Sequence, residues 1–131
     1  GLFEDVGALL SRFAKKERSA EATIVLSTGI LSMVTGVISV AIVALGDLVN
    51  DIGEKAGVDR YRRANLLDCT GCVFCFLAPW TVHCVIPAQQ SAQFGEGFAV
   101  APASVPFVNY YSICMLVILL VAIVTGYGRK R

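Results

Sequence analysis

Charge is scarce in this 131-residue sequence. Asp, Glu, Lys and Arg make up 16% of it, hydrophobic residues 56%, and mean hydropathy is +0.69. A soluble domain carries about 25% charged residues, so the composition argues against one and for an integral membrane protein. The charge that exists is clustered: residues 22–46, 69–95 and 98–128 contain none. Each run exceeds the ~20 mainly apolar residues a helix needs to cross a bilayer. The net charge of +1 offers no basic surface for a nucleic-acid backbone. No cleavable signal is visible, because Glu4 and Asp5 interrupt any early apolar core. The first residue is Gly1 rather than Met, and the chain reads as a segment of a longer protein. Neither an enzyme activity, a catalytic residue nor a cofactor is expected.

The chain divides by hydropathy and by its helix breakers. Residues 1–21 form an amphipathic helix, with Leu2, Val6, Leu9 and Phe13 on one face, and then a polar hinge, KKERSAE. A transmembrane helix is expected over 22–48. Thr28, Ser32, Thr35 and Ser39 follow at steps of four, three and four, and Gly46 continues the stripe. Such a stripe lines an ion path or packs closely against another helix. Thr35-Gly36 marks a point where such a helix would unwind and expose carbonyls.

Residues 49–63 are a charged loop and helix start, with Asp59 as N-cap. Residues 64–90 are a broken or re-entrant membrane helix, interrupted at Pro79-Trp80 and ended by Pro87. A Gly/Pro loop (91–104), a last transmembrane helix (105–128) and a basic tail (129–131) follow. Basic residues favour the cytoplasmic side, which puts the 50–63 loop and the C-terminus there and the 91–104 loop outside. The basic hinge at Lys15, Lys16 and Arg18 conflicts with a single crossing by 22–48, unless that segment is itself re-entrant.

DCTGCVFCFLAPWTVHC, residues 68–84, concentrates four of the five cysteines with the only histidine and tryptophan. Cys69, Cys72 and Cys75, with His83 and Cys84, have spacings seen in iron–sulfur and zinc sites. Against ligation, Ala78 stands where the iron–sulfur run needs its fourth cysteine. Along one helix, positions 69, 72 and 75 drift around the surface, and the intervening residues are apolar. No metal is expected, and the thiols read as small packing residues; a metal or redox module remains the alternative.

Asp68 enters uncharged sequence with no basic residue three or four positions away. An ionisable group in a membrane segment is a functional candidate. It would trade a proton for a cation, or else sit at the headgroups and pair over distance with Arg62 or Arg63. His83 is either a proton relay or a hydrogen-bonded packing residue.

RRANLLDCTGCVFCFLAPW, residues 62–80, resembles a segment of NhaC-type sodium/proton antiporters, in which R-x-A-x-L-L-D precedes small and polar residues, L-x-P and an aromatic. Arg63, Leu67, Asp68, Cys72, Leu77, Pro79 and Trp80 match. TGVISVAIVALGDLVND (35–51) is similar to the family's preceding Thr-Gly helix, and APASVPFVNYY with the final helix to its C-terminal end. The resemblance implies an all-α helical membrane bundle with inverted repeats and broken helices, of which this chain is a C-terminal part. It implies a multi-pass secondary transporter of the plasma membrane that exchanges sodium for protons; some relatives carry organic anions or amino acids. The partners implied are membrane lipid, the sodium ion and the proton, and the remainder of the transporter; a homo-oligomer is left open. Site polarity in the resemblance then falls on Asp68 and on Thr35-Gly36; Thr35, Thr70, backbone carbonyls and the Asp68 carboxylate supply oxygen ligands suited to a hard cation. Cys72, Cys75 and Thr81 depart from residues common in relatives.

Overall fold

The structure, a computed structural model, describes residues 16–129. Six α-helices occupy it: α1 (Glu17–Thr35), α2 (Ile38–Lys55), α3 (Arg60–Leu77), α4 (Val82–Ala92), α5 (Val105–Val108) and α6 (Tyr110–Thr125). Two 3-10 turns, Glu96–Phe98 and Pro102–Ser104, bridge α4 to α5. No strand occurs among the described residues. The amphipathic helix expected over residues 1–14 lies outside them, as do Lys130 and Arg131.

The single helix expected over 22–48 is two. Gly36 adopts the left-handed conformation (φ 68°), and its N–H donates to Ser32 O at 3.0 Å. That geometry ends a helix and is nearly free of steric cost for glycine alone. The chain turns at Val37 and returns as α2, antiparallel to α1: a Cβ on Gly57, just past the end of α2, would lie 3.7 Å from the Glu17 carboxylate. Helix also occupies two stretches read as hinge and loop. α1 begins at Glu17, whose negative charge suits the positive first turn. α2 runs on to Lys55, with Ile52 and Gly53 buried. The Arg63 side chain lies over Gly53, in space that a side chain there would need.

Asp59 caps α3, accepting from Tyr61 N at 3.1 Å. α3 stops at Ala78 because a residue before proline is driven to extended backbone. Thr81 then donates its hydroxyl to Cys75 O (2.6 Å), which has no helical N–H because residue 79 is proline, and to Ala78 O (2.9 Å), which also accepts the Thr81 N–H. α4 continues at a 41° bend. It does not end at Pro87, as expected, but carries that proline internally. The last expected span is interrupted too, at Asn109, whose Oδ1 accepts from Ser112 N and starts α6.

α1, α2, α3 and α6 share one core, with Ile24, Leu45, Val49, Leu66 and Leu119 at its centre. α1 and α3 run parallel, in contact from Glu21–Arg62 at one end to Gly36–Thr81 at the other. Their approach is close because α1 presents Gly29 to the Phe74 ring and α3 presents Gly71 to Ile38 and Ser32. Outward faces are apolar: Leu26, Ile30 and Val34 on α1, Val40 and Val43 on α2, and Val117, Ile118, Val121 and Val124 on α6 are all exposed. Glu96–Thr125 is long and apolar enough to cross a bilayer, and α3 with α4 also qualifies when taken as one bent span.

A methyl group on Gly29 would sit 2.9 Å from Phe74 Cδ2. Gly29→Ala is therefore expected to cost about 1–3 kcal/mol through overpacking, and Phe74→Leu in the same chain to recover part of it. Thermal unfolding of the two variants in detergent measures both effects.

Candidate functional site

Asp68 lies midway along α3, and its side of the helix is uncovered. Ala64, Asn65 and Asp68 are exposed, and Cys72, the next residue along the stripe, is half-buried. Neither nearby arginine pairs with it. Arg62 donates to Glu21 Oε1 (3.0 Å), Tyr127 O (2.9 Å) and Ala122 O (3.2 Å), and Arg63 donates to Asn50 O (2.7 Å). The alternative of an Asp68 paired with Arg62 or Arg63 is thus not found. Among the described residues Asp68 makes no ion pair.

The other expected site residues stand elsewhere. Thr70 is fully buried. Two residues apart on a helix means about 200° of rotation, so Thr70 faces the bundle while Asp68 faces away. Thr35 spends its hydroxyl on the helix end, donating to Leu31 O at 2.8 Å and accepting from Val37 N at 3.5 Å. Gly36 meets Thr81, and Trp80 Nε1 donates to Met33 O at 2.7 Å. The two helix breaks, at Gly36 and at Ala78–Thr81, are therefore joined to each other. Asp68, Thr35, Gly36 and Thr70 do not form one cluster, because α3 separates the first from the rest.

His83 packs against Phe76, with ring centroids 4.6 Å apart. It lies beyond the break, and the helix from Asp68 to Leu77 alone spans ~14 Å, so it does not touch Asp68. The cysteines do not converge either. Cys75 Sγ donates to Ser32 O and Cys84 Sγ to Phe76 O, each at 3.4 Å, while Cys69 and Cys72 are half-buried and Cys114 is exposed. No group of three or more His, Cys, Asp or Glu side chains suited to a metal occurs among the described residues.

Two carboxylates escaped the sequence reading. Glu21, placed there in a polar hinge, is completely buried in α1 between Arg62 of α3 and Arg129 beyond α6. Both Arg129 Nε (3.2 Å) and Nη2 donate to it, and Glu17 lies 3.8 Å from Arg129 Nε. The bond to Glu21 raises the Arg129 pKa above its already high value, so the guanidinium stays charged. The one available signal was position: Glu21 is a single helical turn before Ile24 and Val25, which are buried. Asp47 was read as the end of a span. The break at Gly36 moves it to the middle of α2, where it is exposed.

A model of the Na+/H+ antiporter family matches residues 1–123 of the chain. Comparison with curated proteins and with solved structures returned no match.

Replacing Glu21 by Gln leaves two guanidiniums sharing a neutral partner inside the bundle. Removing one member of a buried ion pair costs about 3–5 kcal/mol. Glu21→Gln is expected to lose about 3 kcal/mol in unfolding experiments in detergent. Arg129→Ala is expected to lose less, because Arg62 still compensates the carboxylate.

Proposed function

The chain belongs to the Na+/H+ antiporter family, and on that premise we propose that it is an NhaC-type C-terminal transporter segment in which Asp68 couples proton release to sodium uptake. The family's chemistry is exchange of sodium for protons in a membrane, and the exposed apolar side chains of α1, α2 and α6 suit that setting.

The observation that carries the assignment is the contrast between two carboxylates. Glu21 is buried and held by two arginines. Asp68 has no ion pair among the described residues and sits mid-helix, on the face of α3 left open by the rest of the bundle. Burial in an apolar setting disfavours the charged form of any carboxylate, and a nearby cation favours that form. Sodium entry and proton release are then two sides of one equilibrium. Asn65, one turn earlier on the same face, offers a neutral oxygen.

The ends of the helices support an orientation. Glu17, Glu21, the 56–59 turn, Arg62 and Arg129 share one end of the bundle. The described basic residues Lys16, Arg18, Arg62 and Arg129 thus fall near one end, which supports a cytoplasmic side there. The α1–α2 hairpin enters and leaves on that side. The joined breaks at Gly36 and Ala78–Thr81 form a hinge at its far end, the kind of interruption on which alternating access turns. The plasma membrane is the location this reading assigns.

The full-length protein in proteoliposomes, with a trapped pH dye, tests the carboxylate. Asp68→Asn is expected to reduce sodium-driven proton movement to that of empty liposomes. Normal exchange by that variant would remove Asp68 from the mechanism.

A further inference from the structure

Hydroxyls on these helices usually turn back onto the preceding turn. Thr23 donates to Ser19 O, Thr35 to Leu31 O and Thr125 to Val121 O, at 2.7–2.8 Å. Thr28, Ser32 and Thr70 do not. Each is completely buried, and each has a hydroxyl oxygen without any hydrogen-bond partner.

They also stand at matching levels along α1 and α3. Thr28 and Ser32 are one turn apart on α1. Contacts across the parallel α1–α3 seam join residues 41 apart at Glu21–Arg62 and 43 apart at Ser32–Cys75. Thr28 and Thr70 fall between those separations, so they are level. Ser32 Oγ is 3.7 Å from where a Cβ on Gly71, the neighbour of Thr70, would stand. Glycine at 71 lets α3 bring its backbone near that oxygen.

We propose that Thr28, Ser32 and Thr70 are ligands for the transported sodium ion, in a seam on the opposite face of α3 from Asp68. The ligand chemistry is that of a hard monovalent cation. Three neutral oxygens with free lone pairs match its preference. The hydroxyls do not titrate, so proton binding there does not compete. This assignment rests on the sodium/proton exchange proposed above but not on the role given to Asp68.

Purified full-length protein is tested by thermal unfolding in NaCl, KCl and choline chloride at equal ionic strength, and by the sodium dependence of exchange in proteoliposomes. Wild type is expected to gain several degrees in sodium over choline. The isosteric double variant Thr28→Val/Thr70→Val is expected to lose that gain and to raise KM for sodium about ten-fold or more. Its melting temperature in choline should be equal to or above wild type, since two unpaired buried hydroxyls are gone. Thr28→Ser/Thr70→Ser keeps the oxygens and should restore the sodium gain. A double valine variant that keeps both the gain and the wild-type KM overturns the proposal, and points to buried water as what the hydroxyls hold. Should the valine variant not fold, Ser32→Ala is read by the same two measurements with the same outcomes. Asp68→Asn separates the two proposals: the seam predicts that this variant still gains stability in sodium, whatever its exchange rate.

Discussion

A carboxylate without access to water needs compensation from within the protein, and the position of Glu21 organises the rest of the bundle around that need. Its two guanidinium partners come from the start of α3 and from beyond the end of α6. Satisfying one side chain therefore fixes three helix termini in one layer. Arg62 extends the layer by donating to Tyr127 O, beyond the end of α6, and to Ala122 O, which also accepts the Gly126 N–H. A helix C-terminus carries partial negative charge, so a cation there is favoured twice over. With α1 and α3 parallel and tied at this end, α2 must run back between them. The hairpin of α1 and α2 is a consequence of that tie as much as of the glycine at its tip.

The opposite constraint acts at the far end, where helices break in apolar surroundings. Each break frees backbone carbonyls, and inside a membrane these must be satisfied by protein. Trp80 Nε1 reaches Met33 O, and Thr81 Oγ1 reaches Cys75 O. Two cysteines add weak donors: Cys84 to Phe76 O at the break, and Cys75 to Ser32 O, which already accepts the Gly36 N–H. A thiol is small enough for a helix seam and polar enough to help a freed carbonyl.

What was legible in the sequence follows the range of the forces involved. The interruption at Pro79 was legible because proline acts on its own neighbours. Asp68 was legible because its isolation is a property of the adjacent residues. The break at Gly36 was weaker, since a glycine in an apolar run suits close helix packing as well as a turn. Read as a local unwinding within one helix, it left two helices merged and Asp47 misplaced. Glu21 was not legible, because its partners stand 41 and 108 residues away and their pairing exists only after folding. The hydroxyl stripe was visible as a stripe. Only the fold separates its members: Thr28 and Ser32 enter the seam, Thr35 closes the helix end, and Ser39 falls on another helix and is exposed.

That separation bears on coupling. A single cluster holding Asp68 and the hydroxyls would let sodium and proton compete directly for the same oxygens. On the proposed assignment the hydroxyls stand on the opposite face of α3, and their oxygens take no part in that competition. Coupling then requires α3 to have two positions, each favoured by one ligand, because a ligand shifts an equilibrium only by its differential affinity for the two states. α3 suits this role. It is held at one end through Arg62 and Glu21, and at the other it meets the tip of the α1–α2 hairpin through Trp80 and Thr81. A small rotation about the fixed end would change the surroundings of Asp68 and of Thr70 in the same movement. On the two proposals, one helix would read the proton on its outer face and the cation on its inner one.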